Sequence, residues 1–346
     1  MPDVTVNPTS LSVSVTAASK LAGASAPGTL DTQLNYILND SVNTIEKAGT
    51  DALVQSNVIL GGGNSAFPNR IYGTTNLRTI VGGYNNIIGT EGSTDVNDTS
   101  NSQILGGSHA RIVTNASMRT SIVTHGTVAG GAFNEITNGD FGVICGGRDN
   151  KIEEKEGAYS AGEYVATSNG FCAVISGGKG NGNSGYAAFI GGGFSNSVRN
   201  QYGVVVGGLG NAIDQPKDYS TGASMEHSTI GGGRSNTIYA TIGATICGGK
   251  DNSVNLIPAE GGPAGAEGPL NAGSYMTIGG GLNNRIARAV TGFPLVSDCS
   301  YSTIVGGWNN LVNNIGVGGR SLPGDGDAAQ HEVSQRYLSE QPVLQA

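Results

Sequence analysis

The chain is 346 residues long, 58 of them glycine, with 13% charged residues and a formal net charge of −8. Glycine is far above its usual share of about 7% and charge far below the usual 25% or so, and an acidic balance without Lys/Arg clusters excludes nucleic acid and anionic membrane surfaces as partners. No apolar run reaches the roughly 18 residues of a membrane span, and the opening MPDVTVNPTS has no basic stretch before an apolar core, so neither membrane insertion nor an export signal is expected.

Residues 1–30 open with Leu11, Val13 and Val15 alternating with serine, which predicts one extended segment, and continue as the linker LAGASAPG. We read this stretch as an extended docking segment. In residues 31–55 the period changes: Leu34, Leu38, Ser41, Ile45, Ala48 and Ala52 recur at spacings of three and four, which predicts a short helix starting near Asp31. It is either the seam of a short, trimeric coiled coil or an amphipathic helix that caps the first coil of the repeat region.

Residues 56–314 are a repeat. Ile230-Gly231-Gly232-Gly233-Arg234-Ser235-Asn236-Thr237-Ile238 returns 16 residues later as Ile246-Cys247-Gly248-Gly249-Lys250-Asp251-Asn252-Ser253-Val254. Its first apolar residue recurs at Ile59, Ile80, Ile104, Val128, Ile144, Tyr159, Ile175, Ile190, Val205, Ile230, Ile246, Ile278 and Ile304, Tyr159-Ser160-Ala161-Gly162 being a weak copy. A unit of this size holds two strands of about five residues and two tight turns, so each copy adds one coil to a parallel β-solenoid on the order of 60 Å long. The marker residue and the Ile or Val after the asparagine point inward. The glycine pair marks a close backbone approach where a Cβ would collide, and the asparagine is expected to take the left-handed turn conformation. So thin a coil buries little per residue, which implies packing against copies of itself. Longer steps carry insertions at 89–101, 214–227, 255–275 and 288–301, and loops of this kind form the binding faces of solenoids. Residues 315–346 form a polar C-terminal tail.

Little in the chain suggests catalysis. The four cysteines lack CxxC or Cys/His spacing and are expected to be small buried hydrophobes or free thiols. The histidines His109, His125, His227 and His331 show no ligand or triad spacing, and Asp149 and Asp251 share one turn slot of the repeat, as a structural role predicts. No catalytic residues, metal or cofactor are expected. Phe141, Tyr202, Tyr275 and Tyr301 lie three residues before a marker and predict an aromatic ladder, while Trp308 takes the slot held elsewhere by Tyr84 or Phe194. Tyr219 and Phe293 lie on insertions. Of these, Tyr219, Tyr275, Phe293, Tyr301 and Trp308 are the candidate receptor-binding residues.

The copies Ile230-Gly231-Gly232-Gly233-Arg234-Ser235-Asn236 and Tyr159-Ser160-Ala161-Gly162-Glu163-Tyr164-Val165-Ala166 resemble the head repeats of YadA-like trimeric adhesins and related repeats in bacteriophage tail fibres and tailspikes. The resemblance covers residues 56–314 and implies an all-β, left-handed parallel β-roll assembled as a homotrimer. The adhesins carry an export signal and a membrane anchor, neither of which is expected from this sequence, so the phage relatives are the better match. That match implies a virion tail protein made in the host cytoplasm, docked to other tail proteins by a terminal segment and adsorbing to a host surface polysaccharide or protein without enzymatic activity. The alternatives are a structural virion spacer or decoration protein and a polysaccharide-degrading tailspike.

Overall fold

The computed structural model describes residues 36–38, 43–46, 57–72, 77–91, 99–114, 125–153, 170–214, 226–239, 241–255, 275–289 and 301–315. Among these residues there are 26 short strands and no helix. The strands alternate along the chain between two parallel sheets of 13 strands, odd strands in the first sheet and even strands in the second. Thus β1 (Tyr36–Leu38) and β2 (Thr44–Glu46) make the first rung, β3 (Val58–Leu60) and β4 (Arg70–Tyr72) the second, and the stack continues to β25 (Thr303–Ile304) and β26 (Leu311–Ile315). The described residues form a parallel β-solenoid of 13 rungs.

One rung shows how the sequence unit produces this. In β21 (Thr245–Ile246) and β22 (Ser253–Asn255) the backbone amides of Thr245, Cys247, Lys250 and Ser253 donate to the carbonyls of Met276, Ile278, Gly281 and Asn284 in the next rung, at 2.8–2.9 Å. Each rung is therefore satisfied by its neighbours, and stacking is what completes the backbone hydrogen bonds. Between the sheets run two facing columns of fully buried residues, Ile230, Ile246 and Ile278 on one side and Ile238, Val254 and Ile286 on the other. The second column is broken at β14 (Gly182–Asn183), where Asn183 takes the inward slot between Ile152 and Val198. Its amide donates to the carbonyls of Val174 and Ala188, and its side-chain oxygen accepts from the Gly185 amide, so the buried group is satisfied.

The strands are mostly two or three residues long, shorter than the five expected from the unit length. Each is cut off by left-handed residues on both sides: the position three before the marker (Phe141, Tyr202, Tyr275) and the position five after it (Asp149, Ser235, Asp251) all have φ between 53° and 58°. The left-handed slot is thus the residue before the asparagine, not the asparagine itself. The asparagine is buried and runs as a ladder. The Asn252 backbone amide donates to Oδ1 of Asn236 (3.0 Å), its Nδ2 donates to the carbonyls of Gly248 and Gly281 (3.0 Å each), and its own Oδ1 accepts from the Asn284 amide (2.9 Å). One side chain so ties three successive rungs, which is why the repeat tolerates so few replacements there.

The glycine pair also divides in two. Gly249 has φ +86°, and a Cβ there would run into the Gly281 carbonyl and the Asn252 amide, whereas a Cβ on Gly248 would meet nothing within 4 Å. Only the second glycine is required by close approach.

Two further expectations are corrected. The helix expected over 31–55 is replaced, in the described residues, by β1 and β2, with Ile37 paired to Ile59 and Ile45 to Ile71. The reason is legible afterwards: Ile37, Asn43 and Ile45 have the same spacing as Ile80, Asn86 and Ile88, and the three-and-four pattern came from the repeat. Asn43 already behaves as a ladder residue, accepting from the Asn69 amide at 3.0 Å. The solenoid therefore already includes Tyr36–Leu38, ahead of the expected boundary at 56. Conversely, the weak copy at Tyr159 is not a rung. β11 (Val143–Ile144) pairs directly with β13 (Val174–Ile175), so the chain around Tyr159 places no strand between them in the first sheet.

Candidate binding edge

The two edges of the solenoid differ. From β5 (Thr79–Ile80) onward, every connection from the first sheet to the second spans six residues, as in 81–86 or 247–252. The return connections range from five residues, as in 138–142 and 199–203, to 14 in 215–228 and 21 in 256–276. Each of these six-residue turns holds a glycine, a left-handed residue and, except at Ala110, a ladder asparagine, whereas the return edge carries no such shared set; the ladder also runs through the longer turn before β4, where Oδ1 of Asn69 accepts from the Asn86 amide at 3.0 Å. All four insertions expected from the sequence leave from that edge, as does the chain between Glu153 and Val174. The single lengthened turn on the constant edge is 61–69, where the amides of Ala66 and Phe67 donate to Oδ1 of Asn64 at 3.0 and 2.9 Å.

The aromatic ladder expected from the sequence lies on the same variable edge and is longer than its four members. Six rings follow one another along the axis: His125, Phe141, Phe171, Tyr186, Tyr202 and His227, with centroids 4.5–5.7 Å apart. They form three stacked pairs, with interplanar angles of 3°, 6° and 12°, and the planes turn by 65° and 79° between pairs. Sequence reasoning missed Phe171 and Tyr186 because they stand four, not three, residues before the marker; the left-handed slot after each is held by Cys172 and Ala187. The ridge is flanked by the acceptors Asp140, Gln201 and Glu226, and Glu226 lies 3.5 Å from Nδ1 of His227. Cys172 also stands on this edge. It is exposed, yet partial desolvation, with the Asp140 charge adding to it, pushes its thiol up from the usual range.

Of the five candidate receptor residues, Tyr219 and Phe293 lie outside the described residues. Tyr275 and Tyr301 are brought together as a stacked pair at 5.7 Å and 20° on the variable edge. Trp308 is not with them: it follows β25 whereas Tyr301 precedes it, which puts them on opposite edges of the last rung. Trp308 and Tyr301 are each 75% exposed, against 44% for Tyr84 and 39% for Tyr202 in the same two columns. Asp149 and Asp251 occupy the left-handed slot, in agreement with a structural role.

The remaining chemistry is structural. On the outer face of the second sheet, Lys151 sits 2.6 Å from Glu153 and 3.6 Å from Glu135. Desolvation opposes the lysine charge, but the two carboxylates outweigh it and hold the Lys151 pKa above its ordinary value. The cysteines Cys145, Cys172 and Cys247 are free and exposed rather than buried. Among the described residues no group of three or more His, Cys, Asp or Glu could hold a metal ion, and no helix is long and apolar enough to cross a membrane. No protein-family model matches the chain, and no curated protein matches it.

Proposed function

We propose that the chain is a trimeric receptor-binding protein of a bacteriophage tail, a fibre or tailspike that adsorbs to a host surface polysaccharide or protein and has no enzymatic activity. The observation that supports this reading is the contrast between the edges: one of six-residue turns from β5 onward, with a single longer turn at 61–69, the other carrying every connection of more than ten residues and the six-ring ridge. A solenoid used only as a spacer gains nothing from lengthening connections on one edge, whereas a recognition surface is varied by such loops without disturbing the scaffold. The terminal segments, 1–30 and 315–346, supply the docking end to other tail proteins in this reading.

The test is retention of fluorescently labelled full-length protein on bacterial cells after washing. Saturable retention, competed by free surface polysaccharide or by a solubilised surface protein, is the expected result. A variant with alanine at Tyr219 and Phe293 should bind less; unchanged binding removes those two residues from the site. Absence of retention on cells that the parent particle infects would instead favour a spacer or decoration protein, and shortened polysaccharide in the supernatant would favour a degrading tailspike.

A further inference from the structure

We propose that the outer face of the first sheet is the surface on which identical copies of this chain pack against one another. The inference rests on the self-association in the reading above but not on what the variable edge binds. In the 12 rungs from β3 to β25, the residues just before and just after the inward residue are the outward-facing ones, and none of them is charged. The column before the inward residue runs through Val143, Val174, Phe189 and Val204 and ends in Thr229, Thr245, Thr277 and Thr303. The column after it includes Leu60, Val81, Leu105, Val206 and Val305, all exposed, with small residues between them.

The second sheet has the opposite character. Its outward positions carry Arg111, Glu135, Lys151, Glu153, Arg199 and Asp214, joined by ion pairs such as Arg199 to Asp214 at 2.6 Å. In a chain of net charge −8, one uncharged face running the whole length of the stack can be buried without desolvating an ion. The strip mixes exposed Leu and Val with threonine and small residues, and an uncharged surface of this extent with large apolar side chains along it is suited to burial against a partner.

Period and area both select a second copy as the occupant. Strands about 4.8 Å apart and three residues wide give a strip roughly 60 Å by 10 Å. Once side-chain relief and the flanking turns are included, this approaches the roughly 800 Å² per partner of a stable interface. A partner that contacts every rung must repeat at the same spacing over the same length, and another copy of this solenoid does so by construction.

Cys145 and Cys247 lie on this face, in the column after the inward residue, and Cys172 lies on the variable edge. That distribution gives a test in the full-length protein: mass in solution by light scattering, together with iodoacetamide labelling of each cysteine read by peptide mass spectrometry. The expected result is a defined oligomer in which Cys145 and Cys247 label at least about tenfold more slowly than in a Val206→Asp variant, a slowing of the size that coverage in a stable structure produces. Val206→Asp should be monomeric, while Ser197→Asp, on the charged outer face of the second sheet, should keep the oligomer. Cys172 should label at the same rate in all three. A monomeric wild-type chain would overturn the proposal, and so would an oligomer whose Cys145 and Cys247 label as fast as in the monomeric variant. Protected cysteines in a monomer would also overturn it, since the cover would then come from the same chain. If either variant misfolds, the wild-type protein still decides: a defined oligomer in which Cys145 and Cys247 label more slowly than Cys172 supports the proposal, and a monomer or equal labelling of the three overturns it.

Discussion

At the residue scale the two glycines of the unit separate cleanly. Gly249 combines a left-handed φ with a Cβ position blocked by backbone, so Gly249→Ala is expected to cost roughly 2–4 kcal/mol, the sum of the left-handed penalty and local overpacking. Gly248→Ala has free space and is expected to change stability by less than about 1 kcal/mol in either direction. Thermal or denaturant unfolding of the two variants decides it, and equal losses would contradict the assignment. Cys172 gives a second residue-scale expectation. Asp140 disfavours the thiolate, so Asp140→Asn should lower the thiol pKa and speed alkylation of Cys172 at neutral pH, with desolvation still holding it above an ordinary thiol. A pH–rate profile in a chain whose other cysteines are serine measures this, and an unchanged or slower rate would contradict it. Serine is a suitable replacement at 145 and 247 because Ser176 occupies the same column naturally.

At the element scale, much of the architecture was legible in the sequence and the boundaries were not. The marker, the glycines and the asparagine define a rung because each has a separate physical task, so 12 of the 13 rungs follow from Ile59 through Ile304 once Tyr159 is removed. The first rung was missed because Asn39 and Asp40 stand where the glycines would be, and with that signal gone the spacing of Leu34, Leu38 and Ile45 imitates a helix. Tyr159 was over-read for the opposite reason: Ser160-Ala161-Gly162 imitates the small residues of the turn but no asparagine follows six residues after the marker, where Val165 stands instead. Ala110 shows that one missing asparagine is tolerated when the rest of the unit is present, since its amide still donates to Oδ1 of Asn86 at 3.0 Å. The direct pairing of Val143 with Val174 carries a consequence. Deleting residues 155–169 leaves a five-residue connection like 138–142 and should leave the solenoid folded, with stability unchanged or raised by about 1 kcal/mol from the shorter closure. Loss of cooperative unfolding in that deletion would mean that the segment supplies a rung after all. The ridge was only partly legible, because Phe171 and Tyr186 reach the stack from one residue earlier than Phe141 and Tyr202.

At the scale of the whole molecule, the asparagine ladder and the inward columns make a stiff, nearly one-dimensional stack in which each rung depends on its two neighbours. Four long surfaces result from that arrangement: a charged outer face on the second sheet, an uncharged one on the first, a constant edge that carries the ring cluster of Phe67, Tyr84, His109 and Phe133, and a variable edge that carries the long loops and the six-ring ridge. In the proposed reading, function is distributed over these surfaces rather than gathered in a cleft, and a compact sequence motif is not expected. If the proposed reading holds, loop exchange on the variable edge should change recognition while the ladder stays fixed.

The most direct measurement compares the two edges in one binding assay on host cells, using full-length protein of equal folded content and equal oligomeric mass. One variant replaces 215–228 by a five-residue connection and carries Phe141→Ala and Tyr202→Ala on the variable edge; the other carries Phe194→Ala and Arg234→Ala on the constant edge. The account expects retention to fall at least about tenfold for the first, a loss near 1.4 kcal/mol of binding free energy, and to stay at the wild-type level for the second. Equal retention of both, or a loss confined to the constant-edge variant, would contradict the claim that this protein recognises its target through the variable edge.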